Sequence, residues 1–104
     1  MTRIVVDARM VKSSGIGTVI ANVVPRLMAR RPQWGYQLLG DPGILHTFDW
    51  SAGAHITPFT APIYSVAEQK DFPLAKTRGG GILWAPNYNI PLRWSGRLLV
   101  TVHD

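Results

Sequence analysis

Cysteine is absent from the 104 residues, which excludes a disulfide framework, a thiolate nucleophile and every zinc site built on sulfur. Histidine is scarce, with three in the chain. His46 and His55 stand too far apart for a helical or hairpin metal pair, so both read as surface residues and no metal site is expected. No apolar run approaches the roughly 20 residues that a membrane helix requires. The first hydrophobic stretch, Ile4 to Val6, is cut short by Asp7 and Arg9, so neither a span nor a signal peptide is expected. Acidic residues are also few, six against eleven Lys and Arg, and the resulting net charge of +5 favours anionic partners. Nucleotide phosphates, nucleic acid and acidic lipid headgroups all qualify, and the charge alone does not choose among them. There is no Gly-Lys-Ser/Thr phosphate loop, internal repeat, coiled-coil heptad or low-complexity tract.

What is present suits one small packed domain. Hydrophobic residues make up 46% of the chain against 16% charged, which rules out a disordered segment or a charge-driven linker. A chain of this length buries roughly two-thirds of its extended surface on folding. The opening Arg3-Ile4-Val5-Val6-Asp7 has three consecutive aliphatics between charges, as expected of a strand covered on both faces in a parallel sheet. The small residues Ser13-Ser14-Gly15-Ile16-Gly17-Thr18 then form a turn. Apolar residues at 19, 20, 23, 24, 27 and 28 follow with the spacing of one helix face. Pro25 lies inside that pattern and predicts a kink or break. Arg26, Arg30, Arg31 and Pro32 mark the helix end.

Tyr36 to Leu39, closed by Gly40, reads as a second strand running into a turn at Asp41-Pro42-Gly43. His55 to Phe59 reads as a third, placed at a sheet edge by Pro58. Ser65-Val66-Ala67-Glu68 fits a capping box, so a second helix is expected after Ser65. Gly79-Gly80-Gly81 reads as a flexible joint ahead of a fourth strand, Ile82 to Ala85. Leu98 to Val102 reads as a fifth, and residues 86 to 97 are about the minimum for a parallel crossover, so that connection should be compact. Strands alternating with helices imply a doubly wound, Rossmann-like α/β sheet with flanking helices. A strand ending at Val102, followed only by His103-Asp104, leaves a sheet face uncovered, so the chain is expected to be part of a longer polypeptide. Its edge strand and bare face are expected to drive self-association.

Ligands of open α/β sheets collect beyond the carboxyl ends of the strands, which directs attention to 7–18, 86–91 and 103–104. Gly15 and Gly17 open a helix, where bare backbone donors and the dipole can receive a phosphate or carboxylate. The dinucleotide fingerprint is not met, because its third glycine position is Ile20 and no acidic residue on the second strand serves a ribose. A plain strand-to-helix turn accounts for the same glycines. His103, followed by Asp104, can face that cleft or serve as a structural histidine. Pro86-Asn87-Tyr88-Asn89-Ile90-Pro91 sets two amides and a phenol between stiffening prolines. That composition suits hydrogen bonding to a sugar, or a loop whose asparagines bond their own backbone. Trp34, Trp50, Trp84 and Trp94 are too scattered for a base-stacking platform and read mainly as packing residues.

Five segments together carry a family likeness: Arg3-Ile4-Val5-Val6-Asp7-Ala8-Arg9-Met10, Ser14-Gly15-Ile16-Gly17-Thr18, Ile63-Tyr64-Ser65-Val66-Ala67-Glu68-Gln69, Trp84-Ala85-Pro86-Asn87-Tyr88-Asn89-Ile90-Pro91 and Val100-Thr101-Val102-His103-Asp104. In order and spacing the chain resembles the amino-terminal domain of group 1, or family 4, retaining glycosyltransferases of the GT-B fold. The resemblance implies a cytoplasmic enzyme of polysaccharide biosynthesis, peripheral at the inner membrane face where its acceptor is lipid-linked. Such an enzyme moves a sugar from a nucleotide-sugar donor to a saccharide acceptor with retention, without metal or cofactor. It further implies that residues 1–104 are part of the acceptor-side domain. Gly15 and Gly17 would lie against the donor phosphates, the catalytic His103 would contact the donor sugar, and Asp104 would orient that strand end. Arg9, Tyr88 and Asn89, from their place on the cleft side, are expected to contact the acceptor.

Family members often carry histidine where this chain has Trp84. The nucleotide-sugar-binding carboxy-terminal domain of the family, with its basic residues and paired glutamates, is absent from residues 1–104. Charge on a departing diphosphate needs donors from both sides of the cleft, so these residues alone are expected to be inactive. The alternative reading is a non-catalytic doubly wound module that binds an anion or nucleotide through the +5 charge. Nucleic acid is not an expected partner, because the arginines cluster at one helix end without interleaved aromatics.

Overall fold

Alternating strands and helices form a parallel sheet in the computed structural model, which describes residues 2–13, 15–61, 81–86 and 97–100. The elements are β1 (Arg3–Asp7), α1 (Ile16–Arg30), β2 (Gly35–Gly40), α2 (Pro42–Leu45), a 3-10 turn (Asp49–Gly53), β3 (His55–Pro58), β4 (Ile82–Ala85) and β5 (Arg97–Val100). The sheet order is β3-β2-β1-β4-β5, and every pairing is parallel. This is the doubly wound order: the chain steps outward from β1 to β3, then returns to the other side of β1. The fold is therefore the expected Rossmann-like α/β sheet.

The consecutive aliphatics of β1 have the reason anticipated for them. Ile4 and Val6 face one core with Ile20, Val24, Leu38 and Trp84. Val5 faces the opposite core with Leu39, Phe59 and Leu83. Val5, Leu38, Leu39 and Leu83 are fully buried, each contributing about 1.5–3 kcal/mol by leaving water. Trp34, Trp50 and Trp84 all pack into or against the first core, as expected of packing residues.

Helix α1 seals that core through Gly17, Ile20 and Val24. Two details differ from expectation. Val23, assigned to the apolar face by spacing, is 42% exposed, so the buried seam is narrower than the run of apolar residues implied. The helix also continues past Pro25 rather than breaking there; burial of the flanking turns against the sheet offsets the lost backbone donor. Its end is held by the Arg31 amide, which donates to Leu27 O at 2.8 Å. The Tyr36 hydroxyl reaches Arg31 O at 2.8 Å and Leu27 O at 3.1 Å. Burial raises the Tyr36 phenol above its ordinary value, while the Arg31 charge opposes that rise.

Strand β3 lies at the sheet edge with Pro58 opposite Gly40, as the proline requires. Asp41-Pro42-Gly43 forms the start of a helical turn, α2, where a simple reverse turn was expected. Asp41 Oδ1 accepts from the Gly43 amide at 2.9 Å and Pro42 occupies the first turn, an aspartate cap followed by a pre-set proline φ. His46 and His55 are exposed, as expected. Of the triple glycine, only Gly81 is described. Its φ of +75° and the carbonyl of Arg3 beside its Cα, 2.5 Å from where a Cβ would stand, require glycine there. Strand β5 begins one residue before the expected Leu98. The expected helix after Ser65, the crossover at 87–96, Trp94 and the end of the fifth strand lie outside the described residues.

Gly17 has a packing role that can be tested. A Cβ there would stand 2.8 Å from the Val11 carbonyl carbon and 3.0 Å from Met10 O. The helix-propensity gain of alanine, about 0.5–1 kcal/mol, is therefore outweighed by overpacking of about 1–3 kcal/mol. Gly17→Ala should lower Tm by about 4–8 °C for each kcal/mol lost, measured by thermal denaturation. An unchanged or higher Tm would show that this backbone approach does not constrain the fold.

Candidate functional site

Parallel strands present their carboxyl ends along one edge, where side chains from successive loops converge. The chain leaves β1 through Ala8, Arg9 and Met10, β2 through Asp41, and β3 through Phe59, Thr60 and Ala61. The Ala8 amide donates to Leu39 O at 2.8 Å and the Phe59 amide to Gly40 O at 3.0 Å, so sheet bonding extends into this edge. Gly40 lets the layers close: a Cβ there would stand 3.1 Å from Leu45 Cδ1.

An ion pair organises the edge. Arg9 Nε donates to Asp7 Oδ1 at 2.9 Å and Arg9 Nη2 to Asp7 Oδ2 at 2.5 Å. The Arg9 amide also reaches Oδ1 at 3.3 Å. Both side chains are nearly excluded from solvent, 6% and 9% exposed, and this two-pronged geometry is the strong form of a charge-assisted bond. Arg9 Nη1 donates onward to Ala61 O at 3.0 Å, and the guanidinium lies 4.3 Å from the centre of the Phe59 ring. A cation over a desolvated ring contributes about 2 kcal/mol. One side chain thus ties the end of β1 to the segment after β3, 52 residues away.

Beside this pair lies a cleft of about 340 Å³, lined by Arg9, Met10, Ser13, Asp41, Phe59, Thr60 and Ala61. Ser13, Asp41 and Thr60 are exposed, whereas Phe59 is buried. The cleft combines two hydroxyls and a carboxylate with a guanidinium whose charge is already matched. Such groups can exchange hydrogen bonds with a hydroxyl-bearing ligand.

Of the expected site residues, Arg9 lines the cleft, with its guanidinium engaged by Asp7 and Ala61. Gly15 opens α1 with φ +73° and nothing within 4 Å of a Cβ, so its requirement is conformational. Gly17 is buried, and its amide donates to Ser13 O at 2.7 Å. Both glycines continue the loop that supplies Met10 and Ser13, but neither lines the cleft. Tyr88, Asn89, His103 and Asp104 lie outside the described residues. Trp84, where the resembled family often has histidine, is 7% exposed and belongs to the core.

Sequence reasoning missed Ser13, Asp41, Phe59 and Thr60 as a group. The available signal was positional, since the ends of the second and third strands reach the same edge as the first. The Asp7-x-Arg9 spacing at the end of a buried strand was the cue for the ion pair. Among the described residues, no three His, Cys, Asp or Glu side chains come together to hold a metal ion. None of the described helices is long and apolar enough to cross a membrane. Compared with protein-family models, with curated proteins and with solved structures, the chain matches none.

Truncating one member of a buried pair leaves the other charge unmatched, at a cost of about 3–5 kcal/mol. Arg9→Leu should lose about that much stability in urea denaturation. The double variant Asp7→Leu/Arg9→Met should recover most of it. A single variant as stable as the wild type would show that the pair is not closed in solution.

Proposed function

We propose that this chain is the acceptor-side domain of a retaining GT-B glycosyltransferase, acting with a second domain that holds the nucleotide-sugar donor. The observation that carries the reading is the cleft at the carboxyl ends of β1, β2 and β3, where Ser13, Asp41 and Thr60 meet. A saccharide acceptor presents hydroxyl groups, and hydroxyls and a carboxylate that exchange hydrogen bonds with them fix its orientation for attack. The sequence likeness at 3–10, 14–18, 63–69, 84–91 and 100–104 supports the same assignment.

In this reading the acceptor occupies the cleft, with Tyr88 and Asn89 as further contacts, and Arg9 holds the wall formed by Phe59 and Ala61. The start of α1 at Gly15 faces the donor phosphates, where the positive end of the helix dipole favours negative charge. His103 contacts the donor sugar. The second domain supplies the charges that stabilise the leaving diphosphate, so transfer requires both.

Titration calorimetry with GDP- and UDP-sugars tests the division of labour. The 104-residue chain alone should bind them with Kd of about 1 mM or weaker, a binding free energy no more favourable than about −4 kcal/mol, and should transfer no sugar. The net charge of +5 favours a second reading, a non-catalytic anion- or nucleotide-binding module. Tight binding of a nucleotide sugar by this chain would support that reading and overturn the first.

A further inference from the structure

Among the described residues, the exposed charge that lines the cleft is opposite in sign to that of the chain. The whole sequence carries +5, yet the arginine lining the cleft is matched by Asp7 through two hydrogen bonds within a nearly solvent-free pair. Ala61 O and the Phe59 ring engage the same guanidinium. Asp41, the other charged lining residue, is exposed and has no ion-pair partner among the described residues. Its Oδ1 accepts the Gly43 amide at 2.9 Å. Among the described residues, the remaining polar side chains of the lining, Ser13 and Thr60, are neutral.

We infer that the cleft selects a neutral or amino-bearing polyol and disfavours a phosphorylated one, with Asp41 as the residue that reads the charge. This deepens the acceptor reading and rests on it for the biological role. A ligand ammonium placed beside Asp41 gains a charge-assisted hydrogen bond. A ligand phosphate meets a carboxylate with no ion-pair partner among the described residues, while the guanidinium that would otherwise receive it is held by Asp7.

Three monosaccharides of one ring type isolate the charge: glucosamine in its protonated form, glucose and glucose 6-phosphate. Each is titrated at low ionic strength against the isotopically labelled 104-residue protein, with the amide resonances of Ser13, Asp41 and Thr60 as the readout. The expected order of affinity is glucosamine, then glucose, then glucose 6-phosphate. An exposed ion pair corresponds to about a two- to fivefold advantage per step. Asp41→Asn preserves the helix cap, so the fold is retained, and it should abolish the preference for glucosamine over glucose.

Tightest binding by glucose 6-phosphate at these amides would overturn the inference. A preference unchanged in Asp41→Asn, or no response of the three amides to any of the sugars, would overturn it equally. Failure of the transferase reading would appear separately, as tight nucleotide-sugar binding by this chain, and would leave this ranking intact.

Discussion

The carboxyl edge of the sheet depends on one contact, the buried fork between Asp7 and Arg9. Asp7 ends a strand covered on both faces, and a carboxylate 9% exposed in its side chain needs a hydrogen-bonding cation to offset the cost of leaving water. Arg9 is that partner, and its length carries the interaction on to Ala61 and Phe59. The Asp7–Arg9 pair does little for net stability compared with an apolar pair of the same volume. Its consequence is geometric: the segment after the edge strand β3 is held beside the loop after β1, and the cleft exists between them.

The sheet supplies the frame for that contact. Strand β1 sits between β2 and β4 and is covered on both faces, so its end is anchored by strand pairing on both sides. Strand β3 is peripheral and short, interrupted by Pro58, and has fewer neighbours to fix the residues after it. A side-chain staple running from the centre of the sheet to its margin therefore acts where backbone pairing is weakest. The glycine turn has a comparable internal explanation. Gly17 admits the Val11 carbonyl and bonds Ser13, which lets α1 settle close to the loop that also bears Met10 and Ser13.

Much of the fold was legible because hydrophobic periodicity and punctuation report the same elements. The three aliphatics of β1, the glycine turn, the proline that marks β3 as an edge and the aliphatic run of β4 each announce a local preference that packing leaves in place. Pro25 and Asp41-Pro42-Gly43 were less legible. In the first case burial of the helix against the sheet outweighs a local penalty, and in the second a cap and a turn share the same residue types. The site was legible in location but not in membership. Arg9 was found from its place after β1, whereas Asp41 and Thr60 reach the cleft only through the sheet order, which no local pattern in the sequence encodes. The matching of Arg9 by Asp7 likewise needs side-chain directions at the strand end. Tyr88 and Asn89 rest on their expected place on the cleft side, and His103 on the family resemblance.

The central claim is that Arg9 fixes the cleft wall from the end of β1. Amide hydrogen exchange in Arg9→Lys tests it most directly, because lysine keeps the charge but cannot fork onto Asp7 and reach Ala61 together. The Phe59 amide, bonded to Gly40 O in the wild type, should lose protection while the amides of β1 and β2 keep theirs. Phe59 protection equal to that of the wild type would contradict it.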